Sequence, residues 1–160
     1  MAINFTLPLR IAQAVLAIII LGLTAYAVNA WNGNGHWHWS PAEINYMLFC
    51  SIWTILALAY LLIAPVRFET AAHKYGILAA EALTMIFWFA AFIALAVLLT
   101  DLGCSSHWGV CRAATAATVF AAFEWLLFAA TTLMAGLHCW RTRGTHNTRH
   151  DPAIETRAAV

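Results

Sequence analysis

Two carboxylates, Glu81 and Glu124, stand inside stretches that are otherwise almost wholly apolar. An ionisable group at membrane depth is expensive, so such residues belong to ion paths, proton relays or polar contacts between helices. A neutral carboxylic acid both donates and accepts a hydrogen bond, which suits an interhelical contact. Cys104 and Cys111 share one short polar loop with Gly103 and Gly109, a setting in which two thiols can meet without straining a helix. His36 and His38 are separated by one residue, and with His107 they offer ligands of the kind that hold Zn or Cu. No carboxylate or thiolate set accompanies these histidines, so no metal or other cofactor is expected.

These residues must be positioned by four long apolar runs, Ile11–Ala30, Ile44–Ala64, Ile77–Thr100 and Ala113–Cys139. Each holds about 20 or more residues, and a helix needs about 20 to cross a hydrocarbon core of roughly 30 Å. The predicted fold is all-α: an integral-membrane, up-down-up-down bundle of four transmembrane helices. Residues 5–140 form the four-span domain and residues 141–160 a polar tail. Composition agrees, because 63% of the 160 residues are hydrophobic and 9% are charged, where a soluble domain carries about 25% charge. No basic stripe with interleaved aromatics points to nucleic acid. No Gly-rich phosphate cradle, His-Glu-x-x-His, Cys-x-x-Cys or serine–histidine–acid arrangement points to an enzyme. The first run follows Arg10 and contains the small-x-small triplet Ala25-Tyr26-Ala27, as a signal peptide does. It is longer than the 7–15 apolar residues of a signal segment, so it is taken as an uncleaved span.

All but Arg112 of the eight Lys and Arg residues lie on one side of this arrangement. The positive-inside rule therefore places both termini in the cytosol. The sequon Asn4-Phe5-Thr6 would then stay unmodified, and the loops Trp31–Glu43 and Asp101–Arg112 would face outward or into a lumen. A Cys104–Cys111 disulfide persists in such a compartment and would pin two helix ends. Cys50, inside a span, reads as a small buried apolar residue. Cys139, next to the membrane on the cytosolic side, is a candidate for palmitoylation. Trp31, Trp37 and Trp39 suit the headgroup level, and interfacial anchoring is the expected role of their loop. Pro41 and Glu43 mark the start of the second span.

Counting about 1.5 Å per residue from the cytosolic ends puts Glu81 in the inner third and Glu124 near the middle. Tyr60 then lies level with Glu81, and Thr24, Ser51 and Trp88 lie level with Glu124. Two acids at different depths make a poor relay, and no Lys, Arg or His lies mid-span to continue one. The expectation is polar contacts between helices, with Glu124 tied to Trp88 or Ser51, so that Glu124→Leu loosens the bundle and Glu124→Gln preserves it. The alternative is a small transporter or channel using both acids. Ala113, Ala117 and Ala121, and Ala90 and Ala94, repeat at four-residue spacing and let membrane helices approach closely.

Glu81-Ala82-Leu83-Thr84-Met85-Ile86-Phe87-Trp88-Phe89-Ala90 resembles the third span of fungal MARVEL proteins. Phe120-Ala121-Ala122-Phe123-Glu124-Trp125-Leu126-Leu127-Phe128 resembles the fourth span, and Leu9-Arg10-Ile11-Ala12-Gln13 the opening. Four spans with cytosolic termini and a cysteine pair in the second outer loop fit the same family. The likeness covers about residues 5–140 and leaves the Trp- and His-rich first loop unmatched. It implies a non-enzymatic membrane organiser of lateral microdomains, vesicle trafficking or membrane apposition. Its partners would be membrane lipids and a second copy or a lateral membrane protein, in the plasma membrane or the secretory pathway. Carried over by position, Glu81, Trp88, Glu124 and Trp125 become intramembrane packing residues, and no catalytic residue transfers.

Overall fold

The computed structural model describes residues 6–33, 40–67, 74–104 and 109–141. The regular elements among them are four α-helices, α1 Thr6–Gly33, α2 Ala42–Arg67, α3 Lys74–Asp101 and α4 Gly109–Arg141. Each is long and apolar enough to cross a membrane. The helices overrun the apolar runs at their ends, since backbone N–H and C=O groups in hydrocarbon have only intrahelical partners and the ladder continues through the interface. At 28 residues, α1 is about 42 Å long. Pro8 falls in its first turn, where the missing N–H would have had no partner. Pro65 falls in the last turn of α2, two residues before the helix ends.

Each helix packs on its neighbour in sequence, and α1 closes the ring against α4. The core combines large side chains from α1, α2 and α3 (Ile20, Met47, Trp88 and Leu95) with Ala117, Ala121 and Phe128 of α4. Ala113, Ala117 and Ala121 are all buried, so the small-residue row of α4 is consumed by packing inside the bundle. In α3 the buried small residue is Ala91, while Ala90 of the expected row lies on the exposed face.

The polarity of the bundle is the reverse of a soluble one. Gln13, Thr24, Ser51, Thr54, Glu81, Thr84, Glu124 and Thr131 are buried, while Ile18, Leu56, Ile86 and Leu133 are exposed. Lipid tails accept apolar side chains without penalty, so the interior is where polar groups find partners.

At the α3–α4 end, Gly103 has φ 57°. Its N–H donates to Thr100 O at 3.1 Å and the Cys104 N–H donates to Leu99 O at 3.2 Å. This is a Schellman stop, which needs a left-handed residue and so favours glycine. The stop turns the chain so that Cys104 meets Cys111 in the first turn of α4, as a disulfide with a Cα–Cα distance of 5.6 Å. On the same end of the bundle, Trp31 packs half-buried against the core cluster. Trp37, Trp39, His36, His38, His107 and the tail beyond Arg141 lie outside the described residues.

Candidate functional site

Among the described residues the interior carries two polar clusters and one acid that joins neither. The first cluster lies near the end of the bundle where α1 begins and α4 ends. Arg10 of α1 donates through Nη2 to Glu81 Oε1 of α3, and through Nη1 to Gln13 Oε1 at 3.2 Å. Thr131 of α4 donates to the other Glu81 oxygen at 2.6 Å. The Gln13 amide closes the circuit by donating to Thr131 Oγ1 at 3.5 Å. Four side chains on three helices thus form a ring of hydrogen bonds, with a carboxylate and a guanidinium neutralising each other inside it. The pair crosses the bundle from α1 to α3, two helices that are not neighbours in the ring. The Arg10 side chain is only 10% exposed and that of Glu81 is 0% exposed, so both charges depend on this geometry.

The sequence offers Arg10 as a marker of orientation and as part of the family-like opening, not as a partner of Glu81, and offers Tyr60 as the residue level with Glu81. Those depths were measured along helix axes, whereas the long Arg and Glu side chains reach across the bundle to meet. Gln13 is the signal that could have pointed here, being a polar side chain in an apolar run and on the same face as Arg10 at i, i+3.

The second cluster joins α2 to α3. The Trp88 indole N–H donates to Thr54 Oγ1 at 2.9 Å, and the Trp53 indole donates to Thr84 Oγ1 at 3.1 Å. The two threonine hydroxyls donate in turn to carbonyls of their own helices, Cys50 O and Ala80 O, each at 2.8 Å. This relay lets one hydroxyl both accept across the interface and donate along its helix. Beside it, Trp53 and Phe87 rings meet edge to face at 5.6 Å. Cys50 is buried here with its sulfur 3.8 Å from Phe87 O.

Glu124 belongs to neither cluster. It is fully buried in α4, and neither carboxyl oxygen has a hydrogen-bond partner among the described residues. The expected tie to Trp88 or Ser51 is not made. Trp88 is committed to Thr54, and Ser51 donates to Met47 O at 3.1 Å along its own helix. A serine in an apolar helix satisfies its single proton most easily at the i−4 carbonyl, which takes it away from a neighbouring helix. Trp125 makes ring contacts rather than polar ones, at 5.5 Å from Phe89 and 5.9 Å from Phe92. Cys139 is buried at 5% exposure. Among the described residues no three His, Cys, Asp or Glu side chains gather as metal ligands.

Residues 2–134 match the MARVEL family, described as a membrane-associating domain. Neither the curated proteins nor the solved structures give a match. Four apolar helices, an interior that gathers the polar side chains, and a family match over most of the chain agree, and the protein is a multi-pass integral membrane protein that belongs to the MARVEL family.

Proposed function

We propose that the protein is a non-enzymatic lateral organiser of membranes, acting through its lipid-facing surface and through association with copies of itself or with other membrane proteins. The observation that carries this reading is the inverted polarity of the bundle: the polar groups are mostly consumed inside, and the outward face is aliphatic and aromatic. Such an exterior is broad enough to contact lipids and neighbouring helices all round. Membership of a membrane-associating family supports the same role. The orientation that goes with it places both termini and the Arg10–Glu81 ring at the cytosolic face. The Cys104–Cys111 disulfide then lies at the outer or lumenal face.

Mass measurement and crosslinking in native nanodiscs of several lipid compositions test the proposal. Discrete oligomers or a preferred lipid shell are the expected result, and a strictly monomeric particle without lipid preference in every composition would overturn it. Tags at either terminus should resist external protease in intact cells, whereas glycosylation at Asn4 would reverse the orientation.

The transport alternative requires Glu81 and Glu124 to share a passage. Glu81 already spends both oxygens on Arg10 and Thr131, which argues for a sealed terminal end.

A further inference from the structure

The end of the bundle where α1 begins and α4 ends carries an excess of positive charge that the fold itself does not neutralise. α2 ends at Arg67, α3 begins at Lys74 and α4 ends at Arg141, and these three helices are consecutive neighbours in the ring. Among the described residues the acid near this end is Glu81, and its charge is spent on Arg10 inside the bundle. In the sequence, three further arginines follow Arg141, while the acids that fall on the same side are Glu69, Asp151 and Glu155. Six basic residues thus stand against three acids. The opposite end reverses the balance, with Arg112 against Glu43 and Asp101.

The outward face of α4 shows where this charge lies relative to lipid. Leu133, Leu137 and Trp140 are exposed at 64%, 48% and 72%, and their spacing of four and three residues keeps them on one stripe. The stripe is aliphatic until its last member, which is an indole. A tryptophan that closes an apolar stripe settles at the headgroup level, with its rings among the acyl carbons and its N–H in the wet layer. Arg141 follows at once and is exposed as well, so its guanidinium comes within reach of phosphate oxygens, which it can bind through two parallel N–H donors. A soluble acidic partner would meet the same charges. It gives no reason for the most exposed large hydrophobic side chain among the described residues, Trp140, to stand beside them.

We propose that this end is a docking surface for anionic phospholipids, in which Trp140 seats the bundle at headgroup depth and the positive charge at the ends of α2, α3 and α4 gathers lipids of net negative charge. Basic clusters next to a membrane span attract such lipids. The pairing of Arg10 with Glu81 inside the bundle contributes here too, because it keeps Glu81 from competing with the lipid for the remaining basic residues. The surface rests on the reading of the protein as a lipid-contacting organiser and names the lipid class.

The test uses the full chain in nanodiscs of phosphatidylcholine and phosphatidylserine, with one lipid at a time carrying the same photoactivatable acyl chain. Crosslinks to the last turns of α4 are located and counted by peptide mass spectrometry. Labelling should favour phosphatidylserine by more than about tenfold, since each basic residue near the surface contributes about fivefold. Arg141→Gln should lower that ratio by about fivefold and Lys74→Gln should lower it further, whereas Arg112→Gln at the opposite end should leave it unchanged. Raising salt from about 0.1 M to about 1 M shortens the Debye length from about 10 Å to about 3 Å. That should erase most of the preference in the unaltered chain, a readout that needs no variant to fold. Equal labelling by both lipids, or a preference indifferent to salt and to Arg141→Gln, overturns the docking surface. Discrete oligomers in the same nanodiscs without a phosphatidylserine preference would refute the lipid assignment and leave the organising role standing.

Discussion

Glu81 and Glu124 are the same residue type, both fully buried in long apolar helices, yet they sit in opposite electrostatic circumstances. Glu81 lies near the terminal end, where Arg10 reaches it from the start of α1 and Thr131 from α4. Glu124 lies near the centre, far from the basic side chains at the helix ends, and no neighbour among the described residues gives it a hydrogen. Depth makes the difference. Close to the interface a long cationic side chain can have its stem in the bundle and still complete an ion pair, whereas at the centre only uncharged side chains are tolerated, and their hydrogens are claimed by their own helices. One acid is thus a structural tie, and the other has no hydrogen-bond partner among the described residues.

The strongest way to break this contrast is to remove Arg10. Arg10→Leu leaves Glu81 buried without its counter-charge and should cost about 3–5 kcal/mol, read as a shift in the unfolding titration in mixed micelles. Arg10→Leu combined with Glu81→Leu should recover most of that loss. A single variant as stable as the parent would show that the pairing carries no weight.

Opening the opposite end sharpens the comparison by giving a covalent reference. Replacing Cys104 and Cys111 by serine should cost about 2–3 kcal/mol, from the closure entropy of a short loop. Mass analysis without reduction should find the pair linked, and free alkylation of both thiols in native protein would contradict it.

Smaller still is the neutral relay between α2 and α3. Thr54→Val removes the acceptor of Trp88 and should cost about 0.6 kcal/mol and no more than about 1.7, the measured range for interhelical hydrogen bonds in membranes. The smallest effect belongs to Glu124. With no hydrogen-bond partner among the described residues to lose, Glu124→Leu should be neutral or slightly stabilising, because an apolar side chain of similar volume replaces an unpaired polar one. A loss as large as that of Arg10→Leu would mean that Glu124 is a tie of the same kind as Glu81.

Four membrane spans were legible in the chain because apolar run length is a local property that the bilayer thickness converts directly into helices. The cysteine pair was legible for a related reason, since seven positions of separation and adjacent glycines allow closure without help from the rest of the fold. The partner of Glu124 was misread. Depth along the axis put Trp88 and Ser51 beside it, but depth does not tell which way a hydroxyl or an indole turns. Burial of Cys139 was likewise beyond the sequence, since its place in the chain tells its depth and not its helical face.

The sequence by itself therefore determined the number of spans, the depth of each polar group and the basic asymmetry between the two sides. Tertiary structure alone decided the pairings: that Arg10 reaches Glu81 across the bundle, that Trp88 serves Thr54, and that Glu124 is left without a hydrogen-bond partner among the described residues. The physical reason is that span formation depends on transfer of contiguous residues into lipid, while hydrogen bonding depends on which faces four helices turn toward each other.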